Sequence, residues 1–241
     1  MMSSSEKTNL YFPRRRFLQL SGFSSLGLLL NGCSMSLFDE QVFRITEPLN
    51  QSLEEWLLNP EKLVPEFPAS AIELDKLLVN TFDFTPQIDP QEFRLKINGE
   101  VARPLSLSMT DLEKMPLTTM TIRHVCVEGW AAIAQWGGVK LRELAVLAQP
   151  SSKARYVYFK SADGYYESWD IASALHPQTL MAYQKNGETL PVDNGAPLRL
   201  ASPIKLGYKL SKWVTQITFL SKKPKTLGYW EDQGYEWFGG I

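Results

Sequence analysis

Between residues 93 and 97 the chain alternates apolar and charged positions, Phe-Arg-Leu-Lys-Ile, the period of a half-buried strand. Asn98-Gly99 follows as a tight-turn signal, and Val101 to Leu107 is expected to return as a second strand. Thr110-x-x-Glu113 reads as a capping box that opens a short helix, ended at Met115 by Pro116. Thr118 to Val125 is rich in β-formers and predicts a strand that delivers Cys126. The chain then passes Glu128-Gly129-Trp130 and is expected to turn out through Trp136-Gly137-Gly138. Over Val139 to Ala148 the period changes. Leu141, Leu144, Ala145 and Ala148 fall at i, i+3, i+4 and i+7, which predicts a helix.

Arg155 to Lys160 and Tyr165 to Trp169 are aromatic and β-branched, joined by the turn Ala162-Asp163-Gly164. Asp170 caps a short helix through Leu175, stopped at His176-Pro177. Thr179 to Gln184 and Leu190 flank the hairpin signal Asn186-Gly187, and Leu198 to Ala201 and Trp213 to Leu220 complete the strands. The tail from Gly228 to Ile241, aromatic and glycine-rich, reads as a packed irregular arm. Before the first strand, Leu53, Trp56 and Leu57 have helical spacing after a possible Ser52 cap, and Pro60, Pro65 and Pro68 break the segment into short pieces. Strands outnumber helices, without βαβ alternation, a glycine-rich phosphate loop or repeats. The fold class is a mixed, mainly β, α+β single domain.

The N-terminus changes the picture. Pro13-Arg14-Arg15-Arg16-Phe17-Leu18 fits the twin-arginine export pattern, and Leu18 to Leu30 has the make-up of a signal h-region, too short for a lasting membrane span. Leu30-Asn31-Gly32-Cys33 reads as a lipobox, with Cys33 lipidated as the mature N-terminus; an uncleaved anchor is the alternative. The expected layout is a signal peptide over 1–32, a tether and surface-packed arm over 33–74, and a folded body over 75–241. Of 241 residues, 44% are hydrophobic and 21% charged, ordinary for a globular core. Setting aside residues 1–32, with Lys7, Arg14, Arg15 and Arg16 against Glu6, leaves 21 basic and 25 acidic residues, a balance of −4. That is no footprint for nucleic acid.

Only two cysteines are present. If Cys33 carries lipid, Cys126 has no intramolecular partner in an oxidising compartment. It is then either a small buried hydrophobe or a soft metal ligand or nucleophile. His124 and His176 read as core or capping residues, His176 the more clearly structural. Taken alone, Arg199 and the lysines near it read as a solvated face.

Three blocks taken together say more. Cys126-Val127-Glu128-Gly129-Trp130 with Trp136-Gly137-Gly138, then Ala174-Leu175-His176-Pro177 through Tyr183, then Leu190-Pro191-Val192-Asp193-Asn194-Gly195-Ala196-Pro197-Leu198-Arg199 through Trp213, resemble the molybdopterin-binding domain of the sulfite oxidase superfamily. The nearest branch is similar to the exported catalytic subunit of molybdenum-type protein-methionine-sulfoxide reductases. The resemblance covers about residues 75 to 221. It implies a molybdenum–molybdopterin cofactor whose metal binds the Cys126 thiolate, the catalytic centre. It implies that Arg199 grips the terminal phosphate, with Tyr208, Lys209, Leu210, Ser211 and Lys212 as further phosphate and pterin contacts. Asn194 would read the pterin edge, and Ser161 stands where relatives often have threonine. Asn80, Phe82 and Asp83 fall where the near branch has an asparagine, an aromatic and an acid, with spacing one residue shorter here.

The implied activity is two-electron oxygen-atom transfer, the reduction of sulfoxides such as protein methionine sulfoxide. A sulfite-oxidase-like dehydrogenase and a metal-free lipoprotein binding module are the alternatives. Sulfite is an anion and calls for basic residues beside the metal. The residues after Cys126 are acidic and aromatic, which favours a neutral substrate. The chain has no C-x-x-C-H and no iron–sulfur cysteine set. The resemblance implies a membrane haem-containing subunit as electron donor, and a location in the periplasm or at the cell surface with membrane contact through Cys33.

Overall fold

The structure, a computed structural model, describes Thr46, residues 49–54 and residues 56–241. The expected signal peptide, Cys33 and its lipobox lie outside the described residues. The body is one compact unit, Gln51–Ile241, built on two five-stranded sheets.

The first sheet contains β1 (Leu95–Gly99), β2 (Leu105–Leu107), β5 (Tyr156–Ser161), β6 (Tyr166–Asp170) and β10 (Val214–Leu220), in the order β2-β1-β10-β5-β6. The β1–β10 pair is parallel, Lys96 opposite Gln216 and Gly99 opposite Phe219; the other pairs of this sheet are antiparallel. The second sheet runs β3 (Thr118–Val125), β4 (Ala131–Lys140), β7 (Leu180–Lys185), β8 (Glu188–Thr189), with β9 (Arg199–Ala201) also paired to β7.

Three short α-helices join these strands: α1 (Met109–Glu113), α2 (Leu141–Ala148) and α3 (Ile171–Ala174). The larger core lies between the first sheet, α1, α2 and one face of β7 and β9, with Leu95, Ile97, Leu144, Phe159, Met181, Leu200 and Ile217 buried together. A smaller core covers the other face of the second sheet, with Met120, Ile122, Trp136, Leu180, Ala182 and Ala201. β7 therefore contributes Met181 to one core and Leu180 and Ala182 to the other. A strand buried on both faces reads as a continuous apolar run, because successive side chains point to opposite sides.

Four expectations need correction. Trp136-Gly137-Gly138 is not a way out of the strand but the middle of β4, an interior strand between β3 and β7. Its Ala and Gly residues hide it from propensity, yet they suit the place. A Cβ on Gly138 would collide with the Met181 carbonyl oxygen across the β4–β7 bulge. The capping box is Ser108-x-x-Asp111, not Thr110-x-x-Glu113: Ser108 Oγ accepts from Asp111 N at 3.1 Å, and Asp111 Oδ2 accepts from Ser108 N at 2.9 Å. The second strand is only Leu105–Leu107, since Val101 is drawn off to bridge Pro150. Ser52 lies within a helical run already present at residues 49 and 50, so it does not cap that helix. This run shows Leu53, Trp56 and Leu57 to solvent, while Gln51 Oε1 accepts from Lys223 Nζ at 2.8 Å.

The arm before β1 is fastened to the second sheet by its backbone. Phe67 N donates to Thr121 O at 2.9 Å, and Glu66 Oε2 accepts from Thr121 N at 3.2 Å, covering part of the β3 edge. His176 is structural: its Nε2 lies 3.0 Å from Lys62 O, and its Nδ1 accepts from Gln178 N at 3.1 Å. The tail packs through Lys205, whose Nζ donates to Phe238 O at 2.5 Å and lies 3.3 Å from that ring's centroid.

Candidate functional site

β3 ends at Val125, and a tight loop takes over. Cys126 N donates to Trp130 O at 2.9 Å, and Gly129 N donates to Cys126 O at 3.2 Å. The Cys126 thiol is free and half-buried, 3.6 Å from Glu128 Oε2. The same carboxylate oxygen accepts from Trp130 Nε1 and from Asn80 Nδ2, each at 2.9 Å. Those bonds, Trp130's first, hold Glu128 below the usual carboxylate range. Burial, aided by the Glu128 charge and opposed by loop N–H groups, pushes the Cys126 thiol up. A cysteine nucleophile has the opposite environment, electropositive and thiolate-favouring. A bound cation would favour the thiolate, so these surroundings suit a metal ligand better than a nucleophile.

The loop faces a cavity of about 400 Å³. Its far wall comes from β9 and the segment after it. Arg199 is only 4% exposed, and its guanidinium lies 4.6 Å from the Trp136 ring centroid. Among the described residues its N–H groups donate to carbonyls: Asn194 O at 2.9 Å, Leu200 O at 3.1 Å and Leu210 O at 3.4 Å. No carboxylate forms an ion pair with it among the described residues. Burial lowers its pKa to about 9. Lys212 is held at about 8, by burial first and then by the Arg199 charge. Its Nζ donates to the carbonyl oxygens of Asn80 and of Asp193, the latter at 2.9 Å. Lys185, which the sequence did not single out, is depressed by the same two causes, and its Nζ donates to Asn194 Oδ1 at 2.9 Å.

A buried cation without a carboxylate is costly. Arg199, with two lysines that its charge depresses, marks a place built for an anion. Ser211 Oγ, buried and without a hydrogen-bond partner, adds an idle donor in the cavity wall.

Nine of the twelve residues expected at the site line this cavity: Asn80, Phe82, Cys126, Asn194, Arg199, Tyr208, Leu210, Ser211 and Lys212. Three do not. Asp83 is exposed and outside the lining. Ser161 is buried at the end of β5, its Oγ without a partner and outside the lining. Lys209, expected among the phosphate contacts, has its ammonium turned away into the body. Its Nζ donates to Glu167 Oε1 at 2.5 Å, to Glu231 Oε1 and to Ser168 O at 3.2 Å, all buried. The 3₁₀ turn Gly207–Lys209 sets this direction, with Trp169 Nε1 holding the Lys209 carbonyl at 3.1 Å. Two buried carboxylates claim the lysine, and burial keeps Glu167 well above the usual carboxylate range against the pull of Lys209.

The mouth is aromatic. Phe82, Trp230 and Tyr235 are each about 40% exposed at its rim, and Phe82 packs edge-on to Tyr229 with ring centroids 4.4 Å apart. Tyr229, Trp230 and Tyr235 come from the tail and were not expected here; only their aromatic type hinted at it.

No three His, Cys, Asp or Glu side chains converge to hold a metal among the described residues. A metal on Cys126 would take its other ligands from water or a second group. The cavity asks for a ligand with a soft-metal end at Cys126 and an anionic end at Arg199, Lys212 and Ser211.

Comparison with known proteins gives such a group. Residues 82–230 match the oxidoreductase molybdopterin binding domain. The chain is 38% identical over 232 residues to a protein of Azospira oryzae provisionally named protein-methionine-sulfoxide reductase subunit YedZ1, covering 94% of this chain and 87% of that one. It is 32% identical over 208 residues to the protein-methionine-sulfoxide reductase catalytic subunit MsrP of Campylobacter jejuni, covering 75% of this chain and 68% of that one. Among solved structures, the sulfane dehydrogenase SoxCD of Paracoccus pantotrophus is similar, with a TM-score of 0.55 and 25% identity over 57% of this chain and 40% of that one. The lone thiol facing a buried, unpaired guanidinium agrees with these matches: the chain belongs to the family of oxidoreductases with a molybdopterin-binding domain.

Proposed function

We propose that this protein is the catalytic subunit of an exported sulfoxide reductase, acting on sulfoxides such as methionine sulfoxide in proteins. The observation that carries the reading is the pairing, across one cavity, of the Cys126 thiol with the unpaired Arg199 cation. Both ends fit molybdopterin: thiolate is a soft ligand, and guanidinium suits a phosphate. Cys126 would bind the metal. Arg199, Lys212 and Ser211 would hold the phosphate, and Asn194, fixed by Lys185, would meet the pterin. When bound, the cofactor supplies two-electron oxygen-atom chemistry. The overall reaction takes a sulfoxide, two electrons and two protons to a thioether and water.

The protein's part is selection and access. Beside Cys126 stands Glu128, kept ionised by Trp130 and Asn80. Its charge opposes an anion such as sulfite. The rim rings Phe82, Trp230 and Tyr235 suit an S-methyl group, since sulfur packs favourably at aromatic edges. Electrons would come from a separate membrane protein carrying haem. Protein purified from a host that makes the cofactor should contain about one molybdenum and one pterin per chain, a single mononuclear site, and should reduce methionine sulfoxide with an artificial donor. A loaded protein that oxidises sulfite faster than it reduces sulfoxides would identify the dehydrogenase instead. A chain empty of both metal and pterin would identify the binding module.

The address belongs to the same proposal: twin-arginine export and a lipid on Cys33. Cys33→Ser should move activity from the membrane fraction to the soluble fraction of the exported protein at unchanged specific activity. Activity that stays with the membrane would reject the lipid anchor.

A further inference from the structure

His124 sits on β3, two residues before Cys126, and is 7% exposed. Its ring stacks on Trp130, with centroids 5.7 Å apart and planes 16° from parallel, and tilts at 49° against Trp136, 6.4 Å away. Arg199 lies over the same Trp136 ring, so imidazole and guanidinium share one indole. Its Nδ1 is sealed from solvent without a hydrogen-bond partner. Nε2 is placed differently. It lies where Gly207 meets the thiol loop: a Cβ on Gly207 would stand 2.9 Å from Nε2, 3.2 Å from Val125 O and 3.6 Å from Cys126 Cα. Gly207, His124 and Cys126 all line the cavity.

This arrangement is poor packing. A ring needed only between two indoles would serve better as Phe, because a sealed imidazole nitrogen has lost its water and gained nothing. What the imidazole adds is Nε2, and Gly207 leaves it uncovered. The tautomer follows. A hydrogen on Nδ1 would be a buried donor without an acceptor; a hydrogen on Nε2 leaves only an idle lone pair inside and aims a donor at the cavity.

We propose that His124 is a cofactor-holding residue, its Nε2–H donating a hydrogen bond to a sulfur or oxygen acceptor of the cofactor seated beside Cys126. The proposal rests on reading Cys126 as the metal ligand. An N–H donor to a metal-bound sulfur favours the electron-rich reduced state and raises the reduction potential.

The test compares His124→Phe and His124→Met, which keep bulk and lose the donor, with His124→Gln, whose amide N–H reaches the position of Nε2. Loaded protein is held in cofactor-free buffer, and pterin and molybdenum release are followed over time. The metal potential is measured by spectroscopic redox titration. The Phe and Met variants should release pterin at least about 10-fold faster, the scale of a lost supporting partner, and titrate at a lower potential, while melting no earlier than the parent in cofactor-free form. The Gln variant should return release and potential towards the parent's. Release and potential unchanged in both the Phe and Met variants, or the Gln variant no nearer the parent than they are, would overturn the proposal. If the Phe variant does not fold, Met against Gln decides. Failure of the Cys126 reading looks different, because Cys126→Ser would then leave the metal spectrum unaltered.

Discussion

Cys126→Ser should leave a folded protein with no detectable oxygen-atom transfer. The exchange preserves size, and Sγ meets only weak partners, Glu128 Oε2 at 3.6 Å and the N–H groups of its own loop. Stability should change by less than about 1 kcal/mol, as for a substitution that opens no cavity and strands no buried charge. Chemistry is another matter. Serine's hydroxyl is a harder donor and a far weaker acid, so the metal loses its protein bond. Loss of about 10³-fold or more in turnover corresponds to about 4 kcal/mol of transition-state stabilisation. Pterin should remain in part, held by Arg199, Asn194 and Lys212. Metal content, metal spectrum and sulfoxide reduction measured on one preparation check this. Parent-like turnover with an unaltered metal spectrum would reduce Cys126 to a packing residue and remove the site.

The second large effect is expected at Arg199, with opposite signs in the two forms of the protein. Arg199→Met keeps most of the buried volume and the packing on Trp136 while deleting an unpaired charge. Cofactor-free protein should therefore melt at the parent's temperature or above it, since replacing a buried charge by an apolar side chain of similar size is often neutral or stabilising. Loaded protein should lose cofactor readily. Two charge-assisted hydrogen bonds at about 1.5–3 kcal/mol each amount to roughly 10² to 10⁴ in retention. Lys153→Ala, at an exposed position remote from the cavity, serves as control. Pterin retention equal in the Arg199→Met variant and the control would show that the guanidinium grips nothing.

Much of this was legible in the sequence, for local reasons. The strand Thr118–Val125, the turn between β5 and β6 and the Asp170 cap each rest on residues adjacent in sequence. β4 was not, because Ala132, Ala134, Gly137 and Gly138 have little strand propensity and their place depends on pairing with β3 and, from Trp136 on, with β7. The capping box was ambiguous by construction. Ser108/Asp111 and Thr110/Glu113 share one spacing, and only the strand ending at Leu107 selects the first. The direction of the lysines was hidden for a similar reason. Lys209 and Lys212 are three apart, yet one points into a carboxylate pair and the other towards the cavity. That direction depends on Glu167 and Glu231, distant in sequence, and on a turn three residues long. Lys185 went unnoticed because only the β7–β8 hairpin brings it to Asn194.

The order of the strands has a consequence for how the chain comes together. Neither sheet is contiguous in sequence. β5 and β6 interrupt the second between β4 and β7, and all five strands of the second sheet fall between β2 and β10 of the first. The parallel β1–β10 pair closes a loop spanning from Lys96 to Gln216, and such long-range pairings must bear their closure entropy before they return any contact energy. A fragment ending before β10 leaves the β2-β1 hairpin separated from β5 and β6. One ending before β7 leaves β3 and β4 without their neighbour. The closing of one sheet is thereby coupled to the closing of the other. A ribosome must release the residues up to Leu220 before both sheets can close, so Cys126 and Arg199 face each other only once nearly the whole body has been made.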